Sequence, residues 1–253
     1  MTGKARPLTR EVEIGGRRLG YGILPGSGPP LLLVHGAAAR WQVYRPLMLA
    51  LQAGYHQYAP DLRGHGVSDR APDYGIDGFA SDIIDFADKV VGAPVHLFGH
   101  SLGGWIALTV AARRADLVRS LVIADSGIYP DDIPHEVRTA WLAGLPLALR
   151  SLATSLHQFD TEVLNQYHDR RMTRDYHPDE LLARVRCPTL LIQADPACGG
   201  FMSDNDVRRA TQLLADVRHI RLDGVGHGLH IEDSARVADT FREFHRPNQS
   251  IRS

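Results

Sequence analysis

The chain has 253 residues, 44% hydrophobic and 23% charged, enough to bury one sizeable core and short for two independent domains. A formal net charge of −1 gives no electrostatic reason for a nucleic-acid or anionic-membrane partner. No stretch approaches the roughly 20 apolar residues that cross a bilayer, and Met1-Thr2-Gly3-Lys4-Ala5-Arg6-Pro7 lacks the apolar run of a secretory signal, so a cytoplasmic protein is expected. Cys187 and Cys198 form neither a CxxC pair nor a metal-ligand cluster, and reduced thiols are expected.

The chain opens with two alternating runs, 11–14 and 18–23, joined at Gly15-Gly16, which reads as antiparallel β-structure. After a Pro/Gly-rich link comes Leu31-Leu32-Leu33-Val34, a continuous apolar run typical of a strand buried on both faces. Residues 41–53 read as helix and 57–61 as strand. Residues 76–91 read as a helix with its apolar face at Phe79, Ile83, Phe86, Ala87 and Val90. A strand at 95–98, a buried helix at 105–112 and a strand at 121–124 follow. Farther on, 189–192 and 217–222 read as strands, and 206–214 and 234–244 as helices. This alternation predicts an α/β fold, a mainly parallel sheet with helices on both faces.

The alternation breaks over residues 127–186, which look helical and carry Trp141, Leu142, Leu145, Leu147, Leu149, Leu152, Leu156 and Phe159. An insertion on the carboxyl side of a sheet strand is placed to roof a site. The expected division is therefore a core of 1–126 and 187–253 with a helical cap at 127–186.

Gly99-His100-Ser101-Leu102-Gly103-Gly104 lies between the apolar strand and the buried helix. A serine between glycines on a strand-to-helix turn is a nucleophile elbow, with its hydroxyl at the N-terminus of a helix where backbone N–H groups face a developing anion. Ser101 is the expected nucleophile. A serine hydroxyl needs a base within hydrogen-bond reach and a carboxylate to hold that base in the right tautomer. His227, in Asp223-Gly224-Val225-Gly226-His227-Gly228 after the last strand, is the expected base, with His230 a flanking residue.

For the acid, Asp195 in Gln193-Ala194-Asp195-Pro196 is the first choice, because it emerges just past a strand. Asp125, in Ile123-Ala124-Asp125-Ser126, is the second, and Asp204 and Asp206, in a setting typical of a helix N-cap, are the third. The oxyanion hole is expected from the backbone N–H groups of Leu102 and Ala37, the latter in His35-Gly36-Ala37-Ala38 after an apolar strand. His35 is expected to hold that loop by hydrogen bonds.

His35-Gly36, Asp61-Leu62-Arg63-Gly64-His65-Gly66-Val67-Ser68, the Gly99–Gly104 run and Gly226-His227, in this order over nearly the whole chain, resemble the α/β-hydrolase superfamily, in particular its small cytoplasmic esterase-like members with a helical cap. The resemblance implies a sheet of about eight strands and a Ser–acid–His triad; it gives residues 61–68 a structural turn. One departure is that relatives commonly carry Gly-x-x-Asp where this chain reads Gln193-Ala194-Asp195-Pro196-Ala197. A serine at the elbow argues against the dehalogenase and epoxide-hydrolase relatives, which use Asp there.

The leading expectation is hydrolysis of a moderately hydrophobic carboxylic ester or lactone through an acyl-enzyme, with a small-molecule substrate and no cofactor or metal. Two alternatives stand beside it. One is carbon–carbon bond hydrolysis or a lyase step on an anionic substrate, for which Arg138, Arg150, Arg170, Arg171 and Arg174 are available. The other is a non-catalytic small-molecule binder.

Overall fold

The computed structural model describes residues 6–133, 139 and 158–246. Eight strands form one sheet in the spatial order β1-β2-β4-β3-β5-β6-β7-β8. They are β1 (Leu8–Ile14), β2 (Arg17–Leu24), β3 (Pro30–Val34), β4 (His56–Pro60), β5 (Val95–His100), β6 (Val118–Ala124), β7 (Thr189–Ala194) and β8 (Val217–Leu222). The β1–β2 and β2–β4 pairs are antiparallel and every other pair is parallel. The carboxyl ends of β3, β5, β6, β7 and β8 therefore open on the same edge, where ligands bind in open α/β sheets.

Side-chain alternation sorts the strand residues into two cores. Leu32, Val34, Leu97, Leu121, Ile123 and Leu191 face one layer. There they meet Phe79, Ile83 and Phe86 of α2 (Ile76–Phe86) and Ile106 and Val110 of α3 (Leu102–Arg113). Leu31, Leu33, Phe98, Val122, Leu190 and Ile192 face the other, against Leu47 and Met48 of α1 (Arg45–Leu51). Val237 and Phe241 on the C-terminal helix Ser234–Phe244 complete that layer.

Two predicted helices are interrupted. Residues 41–53 divide into a 3-10 turn at Trp41–Tyr44 and α1, because Pro46 lacks an N–H and suits only a first helical turn. The predicted helix at 76–91 ends as regular α-helix at Phe86. It continues as a wider turn, Ala87–Val91, which Gly92 closes at φ 66°.

Between β6 and β7 the described residues hold a short turn at Pro130–Asp132, α4 (Glu162–His168) and α5 (Pro178–Arg184). The expected cap residues Trp141, Leu142, Leu145, Leu147, Leu149, Leu152 and Leu156, with Arg138 and Arg150, lie outside the described residues. The stretch from 158 to 176 is tied to the loop after β4. Phe159 bridges to His65, the Asp160 N–H donates to the Gly64 carbonyl (2.8 Å), and the Tyr74 hydroxyl donates to Asp160 (2.7 Å). The Tyr74 N–H donates to Gln166 (2.9 Å) and the Ile76 N–H to the Met172 carbonyl (3.0 Å).

One ion pair holds this loop to the sheet's helical layer. Arg63 is buried and meets Asp82 of α2 through Nε (2.6 Å) and a second nitrogen (2.7 Å), and it also donates to the Gly78 carbonyl (2.7 Å). Removing one partner of such a pair leaves an uncompensated buried charge, which costs about 3 kcal/mol or more. The Asp82→Ala variant is therefore expected to unfold about 3 kcal/mol less stably than wild type in a denaturant or thermal titration, whereas Asp88→Ala, on the exposed end of the same layer, stays within about 0.5 kcal/mol.

Candidate active site

Ser101 sits between β5 and α3 with φ 55° and ψ −124°, outside the backbone regions an L-residue prefers. Close packing requires this turn. A Cβ on Gly99 would run into the Gly103 carbonyl, and one on Gly103 into the Val34 carbonyl of β3. Four described residues other than glycine have positive φ: Ala38, Ser101, Asp125 and Arg170. The first three share one end of the sheet. Strain on the order of 1–3 kcal/mol per residue is concentrated where a binding or catalytic arrangement is held in place.

His227 directs Nδ1 at Asp125 Oδ2, 2.7 Å away. Asp125 is fully buried, and its carboxylate also accepts the N–H groups of Ala194 (3.1 Å), Phe201 (2.8 Å) and Met202 (3.1 Å). Burial works against ionisation, but the hydrogen bond and charge of His227, with the Phe201 and Met202 N–H groups, outweigh it. The net effect is to hold Asp125 below the usual carboxylate range. An ionised Asp125 fixes the proton on Nδ1 and leaves Nε2 as an acceptor.

Asp195, the first choice from sequence, is elsewhere. Its carboxylate accepts from Ala197 N (2.9 Å) and Gly224 N (2.8 Å), capping the turn Pro196–Cys198 and bracing the loop after β8. The Asp-Pro pair that drew attention to it is a turn signal. Asp206 completes a capping box with Ser203, and Asp204 binds Gln193 (2.8 Å) and Arg221. The carboxylate that the structure brings to His227 is Asp125, the second choice.

The loop after β3 is held by two buried histidines. His35 Nε2 accepts the Leu62 N–H (3.1 Å), while His65 Nε2 accepts the Ala38 N–H (3.1 Å), so each loop carries a histidine that binds the other's backbone. Their Nδ1 atoms donate to the carbonyls of Gly36 (2.8 Å) and Arg63 (2.9 Å). Burial pushes His35 well below the usual imidazole range and His65 down to about 4, so both are neutral near pH 7. Gly36 is needed for the close approach: a Cβ there would stand 3.0 Å from the Ser101 Cβ.

A pocket of about 460 Å³, its mouth included, opens over Ser101. Ala37 and Leu102 border it beside the serine, and Trp105, Val163, Leu164, Tyr167, Met172 and Phe201 give it an apolar wall. Trp105 is fixed by donating Nε1–H to the Gly127 carbonyl (2.7 Å), and its ring lies 5.7 Å from that of Tyr167 on α4. Phe201 joins the pocket to the Asp125–His227 pair, its ring centroid 4.5 Å from that of His227. Sequence reasoning missed Phe201, Val163 and Met172; nothing in their local pattern marks them.

The α/β-hydrolase fold agrees with the comparisons. Residues 31–240 match the alpha/beta hydrolase family, and the chain belongs to it. It is 28% identical over 255 residues to N-formylmaleamate deformylase of Pseudomonas putida, covering 92% of this chain and 94% of that protein. It is 38% identical over 125 residues to 2-(acetamidomethylene)succinate hydrolase of Mesorhizobium japonicum, a match that spans 48% of this chain and only 44% of that protein. A solved structure of E-2-(acetamidomethylene)succinate hydrolase superposes with a TM-score of 0.78 at 25% identity, over 94% of this chain and 98% of that one. The chain is a hydrolase by family, and no helix among the described residues is long and apolar enough to cross a membrane.

The two carboxylates separate cleanly by substitution. Asp125→Asn is expected to lower kcat by about 10³-fold or more, because the amide favours the wrong imidazole tautomer. Asp195→Asn keeps turnover within about twofold and loses about 1 kcal/mol of stability, because the amide keeps only one of the two oxygens that accept the Ala197 and Gly224 N–H groups. The Asp125 carboxyl is held below its unfolded value of about 3.9, so its stabilisation is fully present above about pH 4 and is lost as pH falls below that. Urea titrations from pH 5 to pH 3 should therefore show a steeper loss of stability for wild type than for Asp125→Asn.

Proposed function

We propose that the protein is a serine hydrolase that cleaves an uncharged, moderately hydrophobic carboxylic ester or lactone. The observation that carries this reading is the contact of His227 with buried Asp125 at 2.7 Å, beside an apolar pocket over the strained Ser101 turn. Ser101 Oγ attacks the carbonyl carbon and His227 Nε2 takes its proton, while Asp125 stabilises the imidazolium. The N–H groups of Ala37 and Leu102 bind the oxyanion; Leu102 opens α3, where an N–H has no intrahelical acceptor. His227 then protonates the leaving alkoxide. In the second half, His227 activates water, the acyl–Ser101 bond breaks, and the acid is released. Of the expected cap, the described helix α4 borders this pocket, contributing Val163, Leu164 and Tyr167 to its wall.

The names of the two relatives favour a second reading, cleavage within a small anionic substrate such as theirs. Such a substrate needs a cation at the pocket. Among the described residues, no charged side chain lines it. Arg170, Arg171 and Arg174 are exposed, and Arg171 is paired with Glu162 (2.9 Å) and Asp169 (3.3 Å). The neutral substrate fits this wall better.

An organophosphonate ester probe followed by peptide mapping tests the nucleophile, with label expected on Ser101 and none on the Ser101→Ala protein, whose kcat falls by about 10⁴-fold or more. A panel of short- and medium-chain neutral esters and lactones, run beside amides of maleate and succinate, tests the substrate class. Turnover of the neutral set alone supports the proposal; turnover confined to the dicarboxylates overturns it in favour of the second reading.

A further inference from the structure

The residue before the serine has a part of its own. His100 Nε2 lies 2.7 Å from the backbone carbonyl of His227, which makes it a donor to that oxygen. Its ring is packed 4.6 Å from the His227 ring and 4.4 Å from that of His230. On the side of the loop after β3, a Cβ on Gly36 would stand only 3.2 Å from His100 Nδ1. One buried side chain, covalently next to Ser101, thus packs against both loops that flank the serine.

We propose that His100 is a positioning residue: its Nε2–H holds the His227 main chain at a fixed offset from Ser101, so that the base and the nucleophile are registered by a single residue. This rests on the reading of Ser101 and His227 as nucleophile and base. His227 follows β8, which stands three strands away from β5 in the sheet, and its loop has glycines on both sides. The direct tether removes the freedom those glycines bring at the moment the proton moves.

Proton transfer, not the tether itself, favours a neutral His100, since a second imidazolium beside a protonated His227 would oppose it. The groups around it are His227 and Asp125 on one side and His230 and His35 on the other. Burial pushes His100 down to about 3, and the His227 charge adds to this. His230, fully desolvated, is likewise held well below the usual range. The stack behind His227 is thus uncharged through the neutral range and donates a hydrogen bond without contributing charge.

The test compares His100→Gln, His100→Asn and His100→Leu by phosphonate labelling rate at Ser101 and by kcat and KM on whichever neutral ester wild type turns over best. Gln places an amide near the Nε2 position, Asn holds the same amide too short to reach the carbonyl, and Leu removes the donor. Expected is a fall of about 10- to 100-fold in kcat and labelling rate for Asn and Leu. KM should stay within twofold of wild type, the acid limb of the kcat–pH profile should not move, and Gln should recover most of the rate. Equal rates in all three variants and wild type overturn the proposal, as does an equal fall in all three, which would show a need for the ring's shape alone. Absence of label on the wild-type protein would instead sink the reading of Ser101 as the nucleophile.

Discussion

The site depends on the close packing of backbone at the strand-to-helix turn. Gly99 lies against the Gly103 carbonyl, and Gly103 lies against the Val34 carbonyl of the neighbouring strand, with no room for a Cβ at either place. The turn at Ser101 can then be tight enough to give φ 55°, and the serine lines the pocket and is only half-buried. The same contact draws the loop after β3 up to the serine, because Gly36 is the next point of approach.

The surroundings hold this arrangement by cross-linking loops rather than by burying more apolar surface. His35 and His65 exchange backbone hydrogen bonds between the loops after β3 and β4, and Asp125 gathers three N–H groups from the end of β7 and the loop beyond it. Each of these polar side chains is fully buried and multiply bonded. A buried polar group with all its partners made contributes rigidity, whereas one left short of a partner costs its full desolvation. Positive-φ residues at Ala38, Ser101 and Asp125 mark where those bonds outweigh local strain.

The sheet was legible because its inner strands are uninterrupted apolar runs, and the tight turn at Ser101 because Gly99 and Gly103 flank it, leaving the serine at φ 55°. The acid was harder to place for a physical reason. Which carboxylate reaches His227 depends on lateral strand order and on how the loop after β7 wraps, and neither leaves a trace in local spacing. Asp195 and Asp125 both follow an apolar strand. Asp195 is followed by proline, a turn signature, and it caps that turn; Asp125 comes one residue after Ala124 on the strand beside β5 and is enclosed by the backbone of 194–202. Phe201, Val163 and Met172 reach the pocket only through tertiary folding, and no periodicity predicts them. The two interrupted helices failed for smaller reasons, a proline in the first turn and a widened last turn.

Helix α3 is buried at every residue from Leu102 to Ala112. A rod enclosed on all sides cannot exchange a side chain for a larger one without disturbing the sheet beneath it, so this side of the pocket offers little raw material for change. Part of the pocket wall is less confined: Leu164 of α4 and Phe201 are only half-buried. A change in what the pocket holds can therefore begin at those two side chains while the helix below keeps its shape.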